Sequence, residues 1–236
     1  MADSDKIIET IDGSIKIVKY NKPKRKNAID YDMYSRIIEI FDEAKNNIDI
    51  NVVVLTGTGD FYSSGNDMVA NIAKPNFPLI KRFIDAFITF PKMLIAIVNG
   101  PAIGIASTTL PLCDLVFAAE NSYFYTPFTK LGFVPEGCSS VMFPRILGDR
   151  KATELLLLGY KMSAREALKY GFVNDVYKPE ELHKIWERIV EVSNLPCQNL
   201  TVSKRIIRAA IKDELLKVNE LEMKELDRIW TAKSKI

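Results

Sequence analysis

The stretch Asn99-Gly100-Pro101-Ala102-Ile103-Gly104-Ile105-Ala106 follows the apolar run Met93 to Val98 and opens a short helical segment. A buried strand, a Gly-rich turn and a helix N-terminus in succession aim backbone N–H groups at one point. Such a point suits either a phosphate or an oxygen that gains negative charge during a reaction. Upstream, Phe61-Tyr62-Ser63-Ser64-Gly65-Asn66-Asp67 follows a second apolar strand, Val52 to Thr56, and supplies another turn with donors. Downstream, Pro135-Glu136-Gly137 sets one carboxylate in a loop just ahead of a helix over Ser139 to Leu147.

Composition narrows the class. The 236 residues, 47% hydrophobic, suffice for one sizeable core and a small appendage. A formal net charge of +2 is too small to imply a nucleic-acid or membrane partner. Lys22, Lys24, Arg25 and Lys26 cluster, but without the interleaved aromatics that stack on bases. No run reaches the roughly 18 apolar residues of a membrane span. The acidic start Met1-Ala2-Asp3-Ser4-Asp5 is unlike a secretory or mitochondrial leader. Cys113, Cys138 and Cys197 lack metal-ligand spacing and leave an odd thiol if two pair, so a reducing compartment is the simplest inference. The sole histidine, His183, sits among Glu180, Glu181, Lys184 and Glu187, as a solvated surface residue does. A Ser-His-Asp hydrolase and a His-bound zinc are therefore set aside, and no metal site is expected.

Apolar spacing predicts a hairpin from Lys6–Ile11 and Ile15–Tyr20, turning at Asp12-Gly13, and a helix from Tyr31 to about Asn46. Strand 52–56 then leads to helical segments through Phe90, strand 93–98 to the Gly104 helix, and Leu115 to Ala119 to the segments holding Glu136. From Ser163 the chain is mostly helical, with a strand around Phe172 to Val176 and helices near 179–193, 198–212 and 213–230. These last are joined by turns at Pro196 and near Asp213. Phe83, Phe87 and Phe90 recur at helical spacing, which suits either a substrate channel or core packing.

The turns, in this order, resemble the enoyl-CoA hydratase/isomerase (crotonase) superfamily over nearly the whole chain. Within it, Ser64-Gly65-Asn66-Asp67, Asn99-Gly100-Pro101-Ala102-Ile103-Gly104, Thr126-Pro127-Phe128 and Pro135-Glu136-Gly137-Cys138-Ser139-Ser140 are most similar to the peroxisomal Δ3,Δ2-enoyl-CoA isomerases. The resemblance implies an α/β fold, a crotonase-like spiral of ββα repeats. Residues 1–190 would form the core with the coenzyme A and catalytic sites, and 191–236 a C-terminal helical region that mediates trimerisation. It further implies a homotrimer or a dimer of trimers, with an acyl-CoA thioester as substrate and no cofactor.

On this resemblance Glu136 is the acid–base residue, moving a proton from C2 to C4 of a 3-enoyl-CoA. The backbone N–H groups of Ser64 and Ile105 form the oxyanion hole. Ser63, Ser64, Gly65, Asn66, Asp67, Gly104 and Phe128 line the substrate, and Arg25, Lys26 and Ala28 lie near the nucleotide end of coenzyme A. Each position also has a structural reading. Glu136 suits a helix N-terminus, Gly65 and Gly104 suit tight turns, Asp67 can fix its own loop, and the basic cluster can be a solvated loop. The C-terminal Ser234-Lys235-Ile236 differs from the peroxisomal address Ser-Lys-Leu only in its last residue, which points to a peroxisomal import receptor, with mitochondrial or cytoplasmic residence as alternatives.

Two rival functions are weighed. Hydratases of the superfamily use two glutamates, and the corresponding positions here are Thr108 and Phe128, neither a carboxylate. A non-catalytic acyl-CoA-binding or interaction domain, like those of chromodomain Y-type corepressors, shares text such as Pro111-Leu112-Cys113-Asp114 with this chain. Glu136 favours the enzyme.

Overall fold

The computed structural model describes residues 6–70 and 75–233. Along the chain, β1 (Ile7–Asp12) and β2 (Ile15–Tyr20) make a hairpin, α1 (Tyr31–Asn46) leads to β3 (Val52–Gly57), and α2 (Phe77–Thr89) leads to β4 (Met93–Val98). Then come β5 (Ala102–Ile103), the short α3 (Ile105–Thr108), β6 (Leu115–Ala119), β7 (Tyr123–Tyr125), α4 (Ser139–Leu147) and α5 (Asp149–Leu156). β8 (Lys161–Ser163), α6 (Ala164–Lys169), β9 (Asp175–Tyr177), α7 (Leu182–Ser193) and the long α8 (Cys197–Lys233) follow.

The main sheet has the order β1-β2-β3-β4-β6-β9, and every pair except the β1–β2 hairpin is parallel. Parallel neighbours need crossovers that cover the sheet, so its central strands are buried on both faces and read as unbroken apolar text. Val53 and Leu55 of β3 join the large core with α1, α2 and α4. Val52 and Val54, pointing the other way, pack with Ile185 and Ile189 of α7. A second sheet, β5-β7-β8, stands beside the first. Its strands are too short for a period-two pattern, and the sequence offered no sign of them.

Three expectations about the elements of the C-terminal third are corrected. There is no turn near Asp213: α8 runs unbroken through 37 residues, because 197–233 contains neither Gly nor Pro to stop it. The strand expected around 172–176 lies at Asp175–Tyr177, since Phe172 and Val173 are drawn into the large core instead. Of the helix expected over 179–193, the first residues form a tight 3-10 turn, Pro179–Glu181. The boundary expected at 190/191 falls inside the last turn of α7.

α8 is bound into the body rather than appended to it. Near its start, Lys204 donates to Asp114 (2.6 Å) and to the Lys92 carbonyl (2.7 Å), and Arg208 donates to the Cys113 carbonyl (3.1 Å). Further along, Leu215, Met223 and Leu226 enter the large core. The effect is to carry the end of α8 across the mouth of the loops that follow β4.

Candidate active site

The loops that leave β3 and β4 start from the C-terminal ends of adjacent parallel strands, where crevices form in such sheets. Polar side chains stitch them together. The Asn99 side chain accepts from the Gly57 N–H (2.9 Å) and donates to the Gly59 carbonyl (2.8 Å). Asn27, fully buried, donates to the carbonyls of Thr58 (2.9 Å) and Phe61 (2.7 Å). Isolated bridges Ser63–Ala102 and Ile29–Asn66 hold the two turns side by side. The contact is close: a Cβ on Gly65, whose φ is +83°, would lie 2.5 Å from the Ile103 carbonyl oxygen and 3.5 Å from the Ile105 nitrogen.

This stitching decides which N–H groups remain for a ligand. The Ser64 N–H donates to the Lys26 carbonyl at 2.8 Å, so Ser64 is not an oxyanion donor, contrary to the sequence-based expectation. The Gly65 N–H donates to the Ser63 hydroxyl at 3.0 Å. In the Ile29 bridge, Ile29 donates to the Gly65 carbonyl (2.8 Å) and accepts from Asp67 N–H (2.9 Å). That pattern turns the amide of Asn66 away from Ile29. Across from it, Ile105 begins α3, and its N–H has no acceptor among the described residues. Gly104, at φ +56° and ψ −129°, provides the bend that exposes it.

A cavity of about 140 Å³ opens beside these turns, lined by Ser64, Asn66, Gly104, Ile105, Phe128 and Glu136. Its remaining wall is apolar: Phe77 and Ile80 from α2, Phe133 and Val134 from the loop before Glu136, and Leu226 and Trp230 from α8. The rings of Phe133 and Trp230 stack nearly parallel, with centroids 6.4 Å apart. Glu136 is only 7% exposed, and its carboxyl accepts a hydrogen bond from the Thr108 hydroxyl (3.1 Å). Burial, and after it the charge of Glu222, push the Glu136 carboxyl up to about 8, against the Thr108 hydrogen bond, which favours the ionised form. A carboxyl so placed is poised to take and return a proton near neutral pH.

The other candidate residues fall into place around this centre. Asp67 does not line the cavity. It is ion-paired with Lys22 and Arg25, both at 2.9 Å, and accepts from the N–H groups of Val69 and Ala70, so it fixes its own loop. Ser63 is fully buried and donates to the Asn27 carbonyl, again outside the cavity lining. Ala28 is buried, while Arg25 and Lys26 are exposed on the loop whose backbone holds Ser64. Phe83, Phe87 and Phe90 pack edge-on or tilted against Tyr34 and Phe41 in the core and leave the cavity-facing positions of α2 to Phe77 and Ile80. His183 is exposed, and its ring lies within hydrogen-bond distance (3.0 Å) of the Glu180 carbonyl.

Residues 10–235 match the sequence pattern described as enoyl-CoA hydratase/isomerase. The chain belongs to the enoyl-CoA hydratase/isomerase family. It is similar to human enoyl-CoA delta isomerase 2, with 42% identity over 96% of this chain and 60% of that one. It is also similar to mouse enoyl-CoA delta isomerase 3, peroxisomal, with 40% identity over 93% of this chain and 72% of that one. Among solved structures, OdaA from Pseudomonas aeruginosa superposes with a TM-score of 0.92 at 33% identity, covering 96% of this chain and 94% of that one. The resemblance and the crotonase fold expected from the four motifs are thus borne out. The chain spans about 60% of the length of the human relative.

Proposed function

We propose that this chain is a Δ3,Δ2-enoyl-CoA isomerase, moving the double bond of a cis- or trans-3-enoyl-CoA to the trans-2 position by a proton transfer through Glu136. The observation that carries the reading is a buried carboxyl in an apolar cavity beside the Ile105 N–H at the start of α3. The similarity to proteins named enoyl-CoA delta isomerases supports it. The places where a hydratase would carry its glutamates hold Thr108, whose hydroxyl donates to Glu136, and Phe128, which closes the wall.

In this mechanism the thioester oxygen lies against the N–H groups of Ile105 and Asn66. The C2–H bond breaks toward the Glu136 carboxylate, and its electron pair is delocalised onto the thioester oxygen, where the two donors stabilise the developing charge. The carboxyl then gives the proton to C4, on the same face of the planar dienolate, and the double bond closes between C2 and C3. An apolar wall keeps water from competing for the intermediate. No cofactor takes part. The Arg25–Lys26 loop, whose Lys26 carbonyl accepts from the N–H of Ser64 in the cavity wall, supports a place there for the nucleotide end of coenzyme A.

The reading extends to assembly and location. Ile206 and Ile207, apolar and exposed on α8, support self-association, which we propose takes the form of a trimer or a dimer of trimers. Ser234-Lys235-Ile236, outside the described residues, together with a relative named peroxisomal, supports action in peroxisomal β-oxidation of unsaturated acyl chains.

The test is conversion of trans-3-hexenoyl-CoA to its conjugated isomer, followed by absorbance, beside hydration of trans-2-hexenoyl-CoA. Conversion with negligible hydration is expected. Faster hydration, or acyl-CoA binding without turnover, would move the assignment to the hydratase or the binding module. The α8 wall makes a further prediction. Trp230→Ala is expected to raise KM for hexenoyl-CoA about tenfold with kcat nearly unchanged, because the ring contributes apolar contact and touches no reacting atom. A fall in kcat at constant KM, measured in the same assay, would contradict that role.

A further inference from the structure

Glu222 lies on α8, 86 residues beyond Glu136 in sequence, and is 5% exposed. Its carboxylate accepts from the Cys138 N–H (2.7 Å), the Ser140 N–H (3.1 Å) and the Ser140 hydroxyl (2.5 Å). These donors belong to the turn that carries Glu136. Cys138 adopts a left-handed conformation (φ 60°, ψ 15°) just ahead of α4, and this bend makes successive amides converge into a concavity that suits an anion. No side chain of its own caps α4, so Glu222 supplies the cap from another helix. A left-handed Cys is costly unless its surroundings hold it, and the three hydrogen bonds do so.

We propose that Glu222 is a positioning residue for the isomerisation: its carboxylate locks the Glu136 turn onto α8 and places a fixed negative charge behind the Glu136 carboxyl. The inference rests on the isomerase reading given above. The two buried carboxyls are solvated unequally. Among the described residues Glu222 has three donors, and Glu136 has the Thr108 hydroxyl. Burial raises the Glu222 carboxyl above its ordinary value as well, but its three hydrogen bonds favour the charged form and oppose that rise, so Glu222 is the member of the pair that keeps its charge longer and Glu136 the one that holds and releases a proton. Neither forms an ion pair among the described residues, so no cation cancels their repulsion.

The other titratable groups around the pair do not compete. Tyr34 on α1 is held well above the usual tyrosine range by burial, and then by the Glu136 charge. The Cys138 thiol is likewise raised, by burial and then by Glu222, Asp85 and Glu136. Asp85 on α2 is paired with Lys81 at 2.7 Å and accepts from Asn219 of α8 at 2.8 Å. On α4, Arg145 is engaged with Glu214 at the surface.

The experiment is a carbon-detected NMR titration of the Glu136 carboxyl, assigned by its loss in Glu136→Gln, on the wild type and on Glu222→Gln, with the pH profile of kcat/KM recorded alongside. In E222Q the Glu136 midpoint and the acid limb of the profile are expected to fall together by about one pH unit, since a like charge has been removed. A midpoint that does not move in the folded variant overturns the proposal. A purely mechanical cap would lower kcat and leave both midpoints in place. If E222Q does not fold, Ser140→Ala takes its part, weakening the hold on the Glu222 charge. It is expected to shift Glu136 downward by a smaller step, and an unmoved midpoint again overturns the proposal. The titration reads Glu136 without turnover, so an inactive wild type would sink the isomerase reading separately.

Discussion

Replacing Glu136 with Gln is expected to lower kcat for 3-enoyl-CoA isomerisation by about three orders of magnitude while the protein stays folded. The amide keeps the size and can still accept from Thr108, but it cannot carry a proton between C2 and C4. Thermal unfolding separates this loss from misfolding. A carboxyl whose folded pKa is raised above its unfolded value supports the fold fully at low pH and loses that support as pH rises through the folded value, here about 8. Glutamine does not titrate. The Tm of Glu136→Gln relative to wild type should therefore rise between about pH 5 and pH 9, by on the order of 1 kcal/mol or more in stability. A variant that loses activity and also loses stability at high pH would mean that Glu136 serves packing rather than proton transfer.

The second large effect is expected at Gly65. Its Cβ would meet the Ile103 carbonyl oxygen at 2.5 Å, and its φ of +83° already disfavours any side chain. Gly65→Ala should thus push the Asn66 turn away from the Ile105 amide and widen the gap between the two donors. Losing one donor of an oxyanion hole costs on the order of 10²-fold to 10³-fold in kcat, and a loss of that size is expected in steady-state kinetics with 3-hexenoyl-CoA. Gly104→Ala provides the comparison. There φ is +56°, but nothing lies within 4 Å of the added carbon, so backbone strain acts without a clash. If Gly65→Ala retains near wild-type kcat, the two turns do not form one oxyanion site.

Much of this architecture could be read before any coordinates. The runs VVVL and MLIAIV announced buried strands, and the Gly-rich turns after them announced a site of converging N–H groups, because backbone needs at these places restrict residue type; that the strands pair in parallel came from the structure. Glu136 was singled out by its motif, and the structure buries it in the cavity wall. The Ser64 amide was misassigned because a motif marks a turn but not the direction of each N–H within it. Only the Lys26 carbonyl, 38 residues away in sequence, reveals that this donor is already used. Likewise, Ser63 and Asp67 share the motif yet bond to the backbone and to basic side chains rather than face the cavity.

α8 shows the opposite difficulty. Leu215, Asn219, Glu222, Leu226 and Trp230 fall three or four residues apart, the spacing of one helix face, but the polar members hide the stripe. Asn219 and Glu222 are buried because they serve Asp85 and the Glu136 turn, partners fixed only by tertiary packing. A turn was expected near Asp213, whereas a helix without Gly or Pro simply continued. That continuity is what carries Leu226 and Trp230 to the cavity.

The account stands most directly on whether one sheltered carboxyl carries the proton from C2 to C4. The measurement is isomerisation of 3-hexenoyl-CoA bearing deuterium at C2, in ordinary water, with the product's C4 analysed by mass spectrometry and NMR after brief turnover. Deuterium at C4 in a substantial fraction of product is the predicted result. Full-rate isomerisation with no deuterium at C4 would show that a second acid or bulk water delivers the proton, and would contradict the single-glutamate mechanism.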